Sequence, residues 1–234
     1  MPLPKITAPS YEVSLPSSGK TIKYRPFLVK EEKVLMLASE SNNPKDIANA
    51  IKSILSACIV SRIKVEELSS FDIEYLFLNV RAKSVGEVLE ITAPLPSDPN
   101  STVKLEVNLQ DVAVQFPEGH EKEVEVTDDL TVVMKYPNMD MFIDMNFTDK
   151  EVDPFDVIGK CIDQIIQGDE IWEGSECSKK ELTEFIESMT SEQFAKVNKF
   201  FETMPKLEHT VSVPNPETGE SEEITLSGIG DFFG

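Results

Sequence analysis

The sequence predicts an α+β fold, and three observations carry that prediction. Apolar residues recur with a period of two in some stretches and near 3.6 in others. Proline- and glycine-rich segments separate the two kinds of stretch. N-cap signatures open helical runs at Asn43-Pro44, Asp153-Pro154, Ser178-Lys-Lys-Glu181 and Thr190-Ser-Glu-Gln193. With 234 residues, 40% of them hydrophobic and 13 of them phenylalanine, the chain can bury a core and form one or two domains.

The order of elements divides the chain into three segments. Residues 1–85 open with a β-hairpin, in which Tyr11, Val13 and Leu15 alternate with polar residues before a Pro16-Ser-Ser-Gly19 turn. Ile22, Tyr24 and Pro26 continue on the return strand. A helix follows over 28–39, with Val34, Leu35 and Leu37 as its apolar face. The next helix, after Asn43, places Ile47, Ile51, Ile54, Leu55 and Cys58 on one stripe. A third, over 70–83, faces inward through Phe71, Tyr75, Leu78 and Ala82.

Residues 86–150 read as a central antiparallel sheet module. Val103, Leu105, Val107 and Leu109 alternate strictly. Val124 and Val126, then Leu130, Val132 and Met134, form a hairpin around Thr127-Asp-Asp129. Residues 151–234 read as a helical region with a terminal hairpin and an apolar tail. Its first helix runs from Asp153 through Ile158, Ile162, Ile165 and Ile166. Two more start at the Ser178 and Thr190 capping boxes and end before Pro205. The closing hairpin pairs residues 209–213 with 223–226.

The net charge of −20 is unevenly spread. Residues 1–64 hold 10 basic and 5 acidic side chains, whereas residues 65–234 hold 12 and 37. So acidic a body repels phosphates, which argues against nucleic-acid binding. No stretch is long and apolar enough for a membrane helix, and the N-terminus has no signal-peptide pattern, so a cytosolic protein is expected. The three cysteines, Cys58, Cys161 and Cys177, are widely spaced and lack ligand spacing, so neither disulfides nor a metal is expected.

Few residues have the pattern catalysis needs. His120 lies in a charged turn and reads as a solvated loop residue; His209 begins a strand and reads as structural. Ser17-Ser-Gly-Lys20-Thr21 only resembles the end of a phosphate loop, without the upstream glycine. Asp140, Asp144, Asp149, Glu151 and Asp153 lack the order of a calcium loop. No catalytic, cofactor or metal residue is assigned, and the chain is not expected to be an enzyme. The candidate partner-binding residues are the basic set Lys20, Lys23, Arg25 and Lys30, and the tail residues Ile229, Phe232 and Phe233. Strand alternation puts Lys23 and Arg25 on the face opposite Ile22 and Tyr24. The glycine-flanked tail aromatics either anchor a partner or fold back on the core.

Three strings carry a family resemblance: Met1-Pro-Leu-Pro-Lys-Ile6, Gly19-Lys-Thr-Ile-Lys-Tyr-Arg-Pro-Phe-Leu-Val-Lys-Glu-Glu-Lys33 and Leu226-Ser-Gly-Ile-Gly-Asp-Phe-Phe233. With them the chain resembles the baseplate hub assembly proteins of T-even-type myophages. The resemblance runs end to end, strongest over 19–33 and 155–233 and weakest in the middle sheet. It implies a non-catalytic, cofactor-free phage protein. Such a protein binds hub and tail proteins of a contractile tail as an assembly factor, a chaperone or a structural subunit. The expected location is the infected bacterial cytoplasm, or the virion baseplate for a structural subunit. Neither nucleic acid nor membrane is an expected partner, and the oligomeric state stays open. The alternative is an acidic DNA mimic that inhibits a host nucleic-acid-binding protein. A mimic requires a continuous carboxylate array, whereas these acids are interleaved with apolar helix faces.

Overall fold

Tyr11–Ser14 (β1) and Thr21–Tyr24 (β2) form the expected N-terminal hairpin, with Val13 opposite Ile22 and Tyr11 opposite Tyr24. The computed structural model describes residues 6–41, 43–139, 141, 153–216 and 219–232. Alternation along β2 buries Ile22 and Tyr24 and leaves Thr21 and Lys23 in solvent. The connecting loop is tied down at its far end: the Ser17 N–H and hydroxyl both donate to the Asp72 carboxylate.

Val29–Glu40 (α1) and Pro44–Cys58 (α2) follow. In α2, Asn43 accepts from the Lys45 N–H at 3.1 Å and Pro44 takes the first helical position, as the sequence indicated. Its stripe of Ile51, Ile54, Leu55 and Cys58 is fully buried. Ser70–Ser84 (α3) is more deeply buried than one apolar stripe predicts: Phe71, Ile73, Leu76, Phe77, Leu78 and Val80 are all inside. A helix apolar on every side is one that is packed on every side.

Val88–Pro94 (β3) and Thr102–Asn108 (β4) pair antiparallel, with Leu89 against Val107 and Ile91 against Leu105. Ala113–Gln115 (β5) joins a different sheet, ordered β11-β10-β5, with Lys206–Pro214 (β10) and Ser221–Ser227 (β11). A final turn of helix, Gly228–Asp231 (α7), closes the described chain. α3, the β3–β4 pair and the β10–β11 hairpin enclose one core, and Phe232 belongs to it.

The remaining elements have their own core. Glu123–Thr127 (β6), Leu130–Met134 (β7), Ile162–Gln167 (β8) and Glu170–Glu173 (β9) make a four-stranded antiparallel sheet in chain order. Pro154–Lys160 (α4), Lys179–Glu187 (α5) and Ser191–Glu202 (α6) supply its helices. Both predicted capping boxes form: the Ser178 and Thr190 hydroxyls accept from the N–H groups of Glu181 and Gln193.

One predicted helix is cut short. Helical spacing carries residues 154–166 as a single helix, but α4 ends at Lys160 and the isoleucines lie on β8. The register explains the mimicry. Met134 pairs with Ile162 and Val133 with Gln164, so Asp163 is an extra residue in a bulge. A strand with a bulge can turn residues three apart to the same face, and both Ile162 and Ile165 are buried. Gly168, at φ +58°, then forms the tight turn into β9.

The chain therefore gathers into two compact units: Met1–Gln115 with Lys206–Gly234, and Phe116–Pro205. These do not follow the segments 1–85, 86–150 and 151–234. The strands of the middle third are shared among three sheets, and the terminal hairpin returns to the first unit.

Candidate protein-binding surface

The four basic candidates separate into exposed side chains and one that is turned inward. Lys23 is exposed and pairs at 3.1 Å with Glu12, its register neighbour on β1. Lys20 follows the hairpin loop and lines an open cavity of about 710 Å³ together with Arg62 and Lys64. Arg25 is different. Its side chain is only 20% exposed and its guanidinium donates to Glu31 at 3.0 Å and to the Pro26 carbonyl at 2.9 Å. The expected shared open face for Lys23 and Arg25 thus holds for Lys23 alone. β2 ends at Tyr24, and the Arg25 N–H instead donates to the Cys58 carbonyl.

Glu31 is the reason. Its buried carboxylate also accepts from the Leu28 N–H at 2.7 Å, capping the start of α1, and sits 3.3 Å from the exposed Lys30 ammonium. Burial alone would raise this carboxyl. The hydrogen bonds from Arg25, Leu28 and Lys30 outweigh it and hold Glu31 below its ordinary value. Charge inside unit one is thereby used to fix the first turn of α1.

The tail residues are also committed. Ile229 and Phe232 are buried in the core of their own unit, so of the two readings the fold-back is the one observed. Phe233 lies outside the described residues, as do Asp140, Asp144, Asp149 and Glu151. The Ile229 N–H donates at 3.2 Å to Glu74, a carboxyl buried in α3. Burial pushes that carboxyl up to about 7, against the pull of the Ile229 N–H.

The densest run of exposed large hydrophobic residues among those described lies outside the candidates. The stretch from Leu28 to Leu37 holds five of the twelve large hydrophobic residues exposed on the described chain: Leu28, Val29, Val34, Met36 and Leu37. Val29 is 80% exposed, Met36 59% and Leu37 56%. Val34, Leu35 and Leu37 are the apolar face that the sequence indicates, and Val34 and Leu37 are exposed. The buried residues of α1 are instead Glu31 and Ala38.

Two of the three thiols and His120 are held in unreactive surroundings. Burial raises the Cys58 thiol to about 11 and the Cys161 thiol to about 12, which keeps both protonated. His120 is half-buried and not solvated as its turn composition indicated. It stacks on Tyr136 and packs against Phe200, with its ring nitrogens 3.0 Å from the Thr203 hydroxyl and 3.1 Å from the Tyr136 hydroxyl. The Thr203 hydroxyl already donates to the Lys199 carbonyl, so it accepts from Nδ1–H and Nε2 accepts from Tyr136. Burial and nearby Lys122 lower the His120 pKa, in keeping with a neutral ring. Among the described residues no group of three or more His, Cys, Asp or Glu is arranged to hold a metal ion, and no helix is long and apolar enough to cross a membrane.

A family model described as T4 bacteriophage base plate protein matches residues 8–234, nearly the whole chain. The chain belongs to this family. Its place among T4-type baseplate proteins agrees with the end-to-end resemblance of the sequence, and points to a structural or assembly role beside other baseplate proteins. No curated protein and no solved structure is significantly similar to it. For a baseplate protein, an exposed apolar helix face beside basic side chains is a surface suited to contact with another protein.

Proposed function

We propose that this chain is a non-catalytic protein that binds tail proteins during assembly of the baseplate's central hub, as an assembly factor or structural subunit. The observation that carries the reading is the family match across residues 8–234. The chemistry of the chain supports it: the buried thiols are held protonated, His120 is locked into an aromatic cluster, and Arg25 and Glu31 are spent on fixing the start of α1. Lys20, Lys23 and Lys30 are the basic candidates still exposed, and they are the ones available to steer a partner.

The test combines two measurements. Each hub and tail protein of the same phage is purified singly and titrated against this chain, and purified particles are analysed by mass spectrometry. Binding to at least one hub protein is expected. Detection of the chain in particles would mark a structural subunit, and its absence an assembly factor that leaves. Failure to bind any hub or tail protein, with normal baseplates forming in its absence, would overturn the proposal.

A further inference from the structure

α1 is built so that its large apolar side chains face water. Helical geometry sets Val29, Lys33 and Leu37 in one row at four-residue spacing, with Met36 on one flank and Lys30 and Val34 on the other. All six are exposed. The opposite side of the helix buries Glu31 and Ala38. The first turn is pinned by the contacts of Glu31 with Arg25 and the Leu28 N–H, so the face is presented on a fixed scaffold. Scattered exposed hydrophobics are ordinary on any surface, but Val29, Val34, Met36 and Leu37 share one side of one helix and form a patch.

We infer that this face of α1 is the docking surface for another baseplate protein, and that the occupant is an amphipathic helix bearing Asp or Glu beside its apolar stripe. The inference rests on the hub-assembly reading and names the surface that reading requires. Two arguments fix the occupant. Rows of side chains at helical spacing present ridges and grooves that a second helix fills, and α1 is about 18 Å long, enough for three turns of contact. Lys30 and Lys33 lie within the apolar face, and the first 64 residues around them are net positive, with 10 basic against 5 acidic residues. An acidic stripe complements them. A second copy fits less well, because each copy carries a net charge of −20 and the two repel.

The experiment uses the full chain and the other baseplate proteins of the same phage, each purified singly as the probe. Met36→Glu/Leu37→Glu alters only exposed positions, so an unchanged thermal midpoint confirms that it folds. Affinity for the partner should fall at least tenfold. Lys33→Glu, which leaves the Glu31 contacts intact, should weaken binding several-fold at low salt, with the loss shrinking as salt rises. A photo-crosslinker at position 37 should attach to an acid-bearing helix of the partner. A partner that binds wild type and both variants equally would overturn the α1 surface while leaving the hub-assembly reading intact. Failure of every probe to bind wild type would instead remove the reading itself. A crosslink to a basic or extended segment would overturn the occupant's chemistry. Self-association by light scattering, abolished in Met36→Glu/Leu37→Glu, would show that the occupant is a second copy.

Discussion

Glu74 holds the tail at a cost that depends on pH. Its folded-state pKa is raised from 4.5 to about 7, so the fold favours the neutral carboxyl. Below pH 4.5 it is protonated in both folded and unfolded chains and has no effect on stability. Between 4.5 and 7 the unfolded chain releases the proton first, and stability falls as pH rises. Above 7 the penalty is complete, on the order of 3 kcal/mol. Glu74→Gln keeps an acceptor for the Ile229 N–H and removes the charge. The variant should melt higher than wild type at pH 8, and its midpoint should vary less between pH 5 and 7.5. An equal pH dependence for the two proteins would show that Glu74 is not the group responsible.

Arg25 and Lys23 separate two uses of charge only two residues apart. Arg25→Ala strips the main cation from buried Glu31 and should cost about 2–4 kcal/mol in chemical denaturation. Lys23→Ala breaks an exposed pair with Glu12 and should change stability by less than about 1 kcal/mol. The cysteines offer a further check. At pH 8 a thiol reagent should modify half-buried Cys177 in the native protein and reach Cys58 and Cys161 only after unfolding. Rapid native labelling of all three would contradict the burial described for this pair.

At the level of single elements, the sequence was most legible where local chemistry decides the structure. Asn43, Asp153, Ser178 and Thr190 all cap helices as read, because an N-cap needs only a short polar side chain and a few neighbouring N–H groups. The strict alternation in β4 likewise fixed which residues face inward. Two elements escaped for different reasons. In β8 the bulge at Asp163 gave a strand the spacing of a helix, and only the Gly168 turn and the β-branched isoleucines argued otherwise. In α1 the pattern gives an apolar face without showing that it meets solvent, since periodicity reports which residues share a face and not what lies against it. Gly174 marks a third constraint invisible in sequence. A Cβ there would stand 2.3 Å from the Ile162 carbonyl oxygen, a backbone atom that cannot swing aside. Gly174→Ala should therefore lower the midpoint of the second unit by several degrees, whereas Gly168→Asn, in a turn with open space, should be nearly neutral. A neutral Gly174→Ala would mean that β8 and the segment after β9 separate easily.

For the whole molecule, family membership was legible end to end while the division into units was not. The sequence shows the order of elements, and that order does not reveal that β10 pairs with β5 across ninety intervening residues. Of the candidate partner-binding residues, Lys20, Lys23 and Lys30 are exposed. Arg25, Ile229 and Phe232 turned inward through contacts with Glu31, Glu74 and the core, all distant from the local pattern.

The pairing of Gln115 with Lys206 sets a timetable for synthesis. The ribosome completes residues 116–205, a contiguous stretch with its own core, before it makes β10, β11 and Phe232. Until then the first unit lacks Leu207, Val213, Ile224, Leu226 and Phe232, and its α3, β3 and β4 side chains have nothing to close over them. The nascent chain thus carries a finished second unit behind a first one that still lacks its C-terminal part. A chain stopped after Pro205 should show this by limited proteolysis: β6–β9 with α4–α6 protected, β1–β5 with α1–α3 cut. An unstopped chain gains protection in both units together with its last 29 residues.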